Sequence, residues 1–272
     1  MKILKLLVFL MFLVHHLFSA TLDTVVIKSK AMRSKPKAVI VLPDSYNLTK
    51  DQFPVLYLLH GWSGSYKDWS GHMDLRPLSD KYQFIIVCPN GGYAGWYIDS
   101  PYKKDNQYET YISDEVVRYI DKHYRTEPNA DGRFICGLSM GGHGAISLLA
   151  KHPDLYTTAG SMSGVMVLNA SGDKYGISQL IGPLEDSGND WKNYSCIYLI
   201  ESLAGLEKGI IIDCGIDDFT IDINRKMHKR LIELEIPHDY YERPGSHSWD
   251  YWTNALEYHL LFFNRLWSSG KN

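Results

Sequence analysis

Gly137-Leu138-Ser139-Met140-Gly141 follows the short apolar run Phe134-Ile135-Cys136 and precedes the small-residue stretch Gly142-His143-Gly144-Ala145-Ile146. A serine carried on a tight strand-to-helix turn needs glycine two positions to either side, because a side chain there collides with neighbouring backbone. Gly137 and Gly141 fill those places, so Ser139 is the candidate nucleophile.

Working outward, apolar runs bounded by turn residues occur at 38–42, 55–59, 84–88, 134–136, 210–214 and 238–241. Those from residue 55 onward lack polar alternation and read as strands buried on both faces. Helical periodicity separates them: Ile112, Val116 and Ile120 share a face, as do Ile223, Met227, Leu231 and Leu234, and later Trp252, Leu256, Leu260 and Phe263. Alternating strand and helix predicts an α/β fold, a mostly parallel central sheet with helices on both faces. Residues 25–42 offer strands without an intervening helix, hence an antiparallel edge. Residues 165–208 form a long connection rich in Gly, Asn, Asp and Ser, expected to be a substrate-covering insertion at the carboxyl ends of the strands.

The 272 residues carry a net charge of −3 with both signs interspersed, which gives no broad basic field and excludes nucleic acid as an expected partner. Lys2 and Lys5, the apolar run 6–14, and Ser19-Ala20 read as a secretory signal peptide over residues 1–20. The run is too short for a membrane span, which needs about 20 residues. Residues 21–272 are then expected to form a single exported domain, secreted or periplasmic, with no stable membrane span once the signal is removed. Cys88, Cys136 and Cys214 sit in strand-like runs and read as buried thiols, whereas Cys196 lies in a loop-like region. Sequons stand at Asn47, Asn169 and Asn193. Neither Cys-x-x-Cys nor His-Glu-x-x-His spacing occurs, and no metal or organic cofactor is expected.

A serine hydroxyl needs a base, and the base needs an orienting acid. Of the histidines after residue 214, His228 and His259 fall inside helical patterns and His238 opens a strand. Only His247, in Pro244-Gly245-Ser246-His247-Ser248-Trp249, occupies a loop between the last strand and the last helix. His247 is the candidate base. Gly215-Ile216-Asp217-Asp218 leaves the preceding strand and offers two acids that position alone does not separate; Asp213, within the strand, is a weaker choice. Two backbone N–H donors are needed for an oxyanion. Met140, following the serine, supplies one, and Trp62 in His60-Gly61-Trp62-Ser63-Gly64 the other, with His60 expected to hold that loop rather than take part in chemistry. Trp69, Tyr93, Trp96, Tyr97 and Trp249 fall in predicted loops and are candidates for stacking on sugar or phenolic rings.

His60-Gly61-Trp62, Pro89-Asn90-Gly91-Gly92 with Trp96-Tyr97-Ile98-Asp99-Ser100-Pro101, the 137–144 run, Ser161-Met162-Ser163-Gly164, Cys214-Gly215-Ile216-Asp217-Asp218-Phe219 and Gly245-Ser246-His247-Ser248-Trp249 together resemble the esterase D, or putative esterase, family of α/β-hydrolases. The resemblance covers nearly all of residues 21–272. It implies the α/β-hydrolase fold, favours Asp218 as the acid, and matches Trp62 as the oxyanion donor. His60-Gly61 differs from the Ser-Gly-Leu-Thr-Cys type loop usual in the family's cytosolic S-formylglutathione hydrolases and from the Asp-Gly of its mycolyltransferases. The implied function is therefore an exported serine carboxylic ester hydrolase acting through an acyl-enzyme on feruloyl or acetyl esters of plant polysaccharides. Acyl transfer to a sugar hydroxyl, or a noncatalytic carbohydrate-binding role, are the alternatives on the same scaffold.

Overall fold

The computed structural model describes residues 20–171, 174–185 and 190–270. The predicted signal segment, apart from Ala20, lies outside them. Eight strands form one sheet in the order β1-β2-β4-β3-β5-β6-β7-β8: β1 (Thr21–Val26), β2 (Lys37–Leu42), β3 (Val55–Leu59), β4 (Ile85–Pro89), β5 (Arg133–Leu138), β6 (Thr158–Met162), β7 (Gly209–Gly215) and β8 (Asp239–Arg243). β1 pairs antiparallel with β2, and β2 with β4; every pairing from β4 through β3 to β8 is parallel. The antiparallel edge and the parallel body are both as the sequence predicts.

Successive side chains on a strand point to opposite faces, so the fully buried strands feed two cores. Val55, Tyr57 and Leu59 join one core with Ile112, Val116 and Ile120 of the segment leading through α3 (Val117–His123), with α4 (Met140–Lys151), and with Met227 and Leu231 of α5 (Ile221–Glu233). Leu56 and Leu58 join the other, beneath α1 (Asp68–His72), α2 (Arg76–Tyr82) and α6 (Trp249–Ser269), where Trp252, Leu256, Leu260 and Phe263 are all buried. Each such side chain contributes about 1.5–3 kcal/mol by leaving water.

Two strands differ from expectation. β6, Thr-Ala-Gly-Ser-Met, has no apolar run to reveal it; its small residues are needed because a Cβ on Gly160 would meet the His259 ring and, at 2.9 Å, Phe263. β8 is the sheet's second edge and is only partly buried, unlike the two-sided burial predicted for it. The described parts of residues 165–208 are short helical turns whose Leu180, Ile181, Trp191, Cys196 and Ile200 are buried in the first core. All four cysteines, Cys196 included, are buried and free. No helix among the described residues is long and apolar enough to cross a membrane.

Candidate active site

β5 ends at Leu138 and α4 begins at Met140, leaving Ser139 as the single residue of the turn, with φ 52° and ψ −114°. A non-glycine residue held there stores about 1–3 kcal/mol of strain. The surroundings enforce it: the Ser139 N–H donates to the Met162 carbonyl at 2.9 Å, and its carbonyl accepts from the His143 N–H at 3.0 Å. A Cβ on Gly137 would strike the Gly141 backbone, and one on Gly141 would lie 2.6 Å from the Leu59 carbonyl oxygen. The glycines are thus required by β3 and by each other.

β7 ends in a turn that separates the two candidate acids. Asp217 is exposed, and its backbone N–H donates to the Gly245 carbonyl at 3.0 Å, tying the turn to the His247 loop. Asp218 points inward and is buried. Its carboxylate meets His247 Nδ1 at 2.9 and 3.0 Å and accepts the Thr220 N–H and hydroxyl, each at 2.8 Å. Burial pushes its pKa up, but the His247 ring and the Thr220 amide outweigh that and hold it below the usual carboxylate value. His247 Nε2 in turn lies 2.9 Å from Ser139 Oγ. Ser139, His247 and Asp218, from three different strand ends, therefore form one hydrogen-bonded line. Trp252 meets the His247 ring edge-on, with centroids 4.8 Å apart, and Phe219 covers it at 4.4 Å.

The loop after β3 approaches the serine closely, for a Cβ on Gly61 would lie 2.6 Å from Leu138 Cδ1 and 3.6 Å from Ser139 Cβ. His60 is buried in that loop: Nδ1–H donates to the Gly61 carbonyl at 2.8 Å, and Nε2 accepts the Gly91 N–H at 2.8 Å. Burial lowers its pKa, keeping the ring neutral in this structural role. Among the described residues the Trp62 and Met140 amides donate to no protein acceptor; Trp62 lines the same cavity as Ser139, and Met140 follows the serine directly as the first residue of α4. The Met140 amide belongs to the unpaired first turn of α4.

Three of the five predicted stacking aromatics are buried, and of these only Trp96 lines the cavity around Ser139. Trp69, Trp96 and Tyr97 are buried, each spending its polar group on backbone: Trp69 Nε1 donates to Leu59 O at 3.0 Å, Tyr97 OH to His60 O at 3.0 Å, and Trp96 Nε1 to Tyr175 O at 3.0 Å. Only Tyr93 and Trp249 keep accessible ring surface. Conversely, Asp68, Tyr175, Phe219 and Trp252 line the cavity of about 540 Å³ around Ser139, and sequence reading did not place them there. Tyr175 lies in a stretch without periodicity, and Trp252 reads equally well as core. Among the described residues no group of three or more His, Cys, Asp or Glu side chains is placed to hold a metal ion.

A mostly parallel sheet with a serine on the elbow after β5, an acid after β7 and a histidine after β8 defines an α/β-hydrolase. Residues 29–263 match the family described as putative esterase, and the chain belongs to that family. An esterase of Mycobacterium tuberculosis is 35% identical over 141 residues, a match covering 50% of this chain and 31% of that protein. The match thus spans about a third of that relative's length. The acetyl esterase of Caldicellulosiruptor saccharolyticus is 25% identical over 228 residues, covering 78% of this chain and 85% of the relative. Among solved structures, a ferulic acid esterase superposes with a TM-score of 0.77 at 29% identity over 92% of this chain and 99% of the other. An S-formylglutathione hydrolase from Agrobacterium tumefaciens, at TM-score 0.80 and 20% identity over 91% and 96%, shares the fold.

Proposed function

We propose that this chain is an exported serine carboxylic ester hydrolase in which Ser139 attacks the ester carbonyl. His247 Nε2 takes the hydroxyl proton as the Oγ–C bond forms, and Asp218 holds the imidazole in the tautomer that accepts it and stabilises the resulting imidazolium. The Trp62 and Met140 amides receive the tetrahedral oxyanion; a donor of this kind is worth about 3–4 kcal/mol. Collapse of that intermediate breaks the bond to the alcohol oxygen, which leaves with the proton from His247. Water, deprotonated by His247, then releases the acid and restores Ser139. The observation that carries this reading is the unbroken line from Ser139 Oγ through His247 to Asp218, at 2.9 Å for each closest approach.

For the substrate we favour feruloyl or acetyl esters of plant polysaccharides. The ferulic acid esterase and acetyl esterase among its relatives support this class, as does the aromatic lining of the cavity by Trp62, Tyr175, Phe219 and Trp249. Export rests on the signal-like residues 1–20. The test is kcat/KM of protein lacking residues 1–20 on methyl ferulate, p-nitrophenyl acetate and acetylated xylo-oligosaccharides. Preference for ferulate is the expected result; cleavage of acetyl substrates alone would make it a deacetylase, and turnover of none would overturn the ester-hydrolase reading.

A further inference from the structure

The cavity at Ser139 has two walls of different chemistry. On one, Trp62 and Trp96 both donate their indole N–H to the Tyr175 carbonyl, at 3.2 and 3.0 Å, and the Trp62 ring lies edge-on to Tyr93 and Tyr175, with centroids 5.0 and 5.3 Å away. None of these side chains carries a formal charge.

The other wall is continuous with the His247 loop. Trp252 meets His247 at 4.8 Å, Trp249 meets Trp252 at 5.5 Å, and Trp69 meets Trp249 at 5.2 Å. Asp68, next to Trp69 at the start of α1, faces the same cavity and is half-buried. Its Oδ1 accepts the Ser65 hydroxyl at 3.0 Å. His72, one turn further along α1, shares a 2.8 Å hydrogen bond with the Asp68 carbonyl and stacks flat on Trp249 at 3.8 Å, fixing this wall. Among the described residues lining the cavity Asp68 is the only carboxylate, and no lysine or arginine lines it.

We infer that Asp68 is a specificity-determining residue that reads the charge of the alcohol half of the ester, favouring cationic and hydroxyl-rich alcohols and rejecting anionic ones. The inference rests on the proposed mechanism in one respect. His247 must reach the departing alcohol oxygen to protonate it, so the alcohol half lies against the wall that His247 shares with Trp249 and Asp68. An unneutralised carboxylate there attracts a positive group, accepts hydrogen bonds from hydroxyls and repels a second carboxylate. The flanking Trp249 ring supplies the apolar face that a sugar ring or an alkylammonium group packs on.

The experiment compares two esters of one acyl group, acetyl or feruloyl, whichever the kinetic screen accepts. One has choline as its alcohol and the other 3,3-dimethylbutanol, the neutral isostere of choline. The readout is the ratio of their kcat/KM values at low ionic strength. The native protein is expected to favour the cationic ester by about tenfold. Asp68→Asn should bring the ratio close to one, Asp68→Glu should restore it, and added salt should erode it in the native protein. A general loss of packing in the variant would slow both esters alike and leave the ratio unmoved. Equal ratios in the native and Asp68→Asn proteins would overturn the assignment of Asp68 while leaving the ester-hydrolase reading standing. Failure of the native protein to turn over either acyl group would overturn that reading and this one together.

Discussion

The two ends of the sheet each carry a cavity, and the larger one is at the wrong end for chemistry. At the amino ends, where β6 begins at Thr158 and β7 at Gly209, a space of about 820 Å³ opens between Leu206, Glu235 and Trp267. Among the described residues that line it there is no histidine. At the carboxyl ends, about 540 Å³ surrounds Ser139 and His247. Volume therefore does not locate the site; convergence of polar groups does. Chain segments leaving parallel strands at their carboxyl ends turn toward one another before entering the next helix, and this brings Ser139, Asp218 and His247 within hydrogen-bond reach.

The sharpest way to break this comparison is at the turn after β7. Asp218→Asn is expected to lower kcat by about 10³- to 10⁴-fold by leaving His247 in the wrong tautomer. Asp217→Asn, one residue away and solvent-exposed, is expected to stay within about threefold, since the role of Asp217 in the turn is played by its backbone N–H. Equal losses in the two variants would remove the geometric distinction between the acids.

A smaller effect should appear in acid, from buried histidines that serve the scaffold, His143 and His259 foremost among them. Burial lowers the pKa of His143 to about 4 and of His259 to about 3. Both remain neutral in the folded protein while the unfolded chain takes up protons below about pH 6.5, so stability is complete above that pH and falls as the pH drops toward the folded values. The urea midpoint should decline between pH 7 and pH 5, and the decline should be shallower in His259→Asn whatever that variant's stability at pH 7. An unchanged slope would mean that His259 does not contribute.

The smallest effect belongs to the amino-end cavity. Leu206→Asp, at a residue already 42% exposed, should change stability by less than about 1 kcal/mol and kcat/KM by less than about twofold. A tenfold loss of activity would show that both ends of the sheet matter to turnover.

The sequence makes the elbow visible because its glycines answer a steric demand that no other residue meets. His247 is visible for a topological reason, as the one histidine between the last strand and the last helix. Asp217 and Asp218 look alike, because the choice between them is made by a backbone turn: the Asp217 N–H is spent on Gly245 and the Asp218 side chain is directed inward. β6 escapes notice because its residues are selected for smallness under α6, and smallness has no periodicity. The loop aromatics mislead for a related reason. Trp69, Trp96 and Tyr97 sit among turn residues, yet all three are buried and their polar atoms donate to backbone carbonyls.

The most direct test of the central claim is covalent labelling. A fluorophosphonate reacts with a serine activated by a neighbouring imidazole, and the adduct is read by intact mass and peptide mapping. The account predicts one adduct, on the peptide containing Ser139, and none in Ser139→Ala. A native protein left unmodified, or an adduct on any other serine, would contradict it.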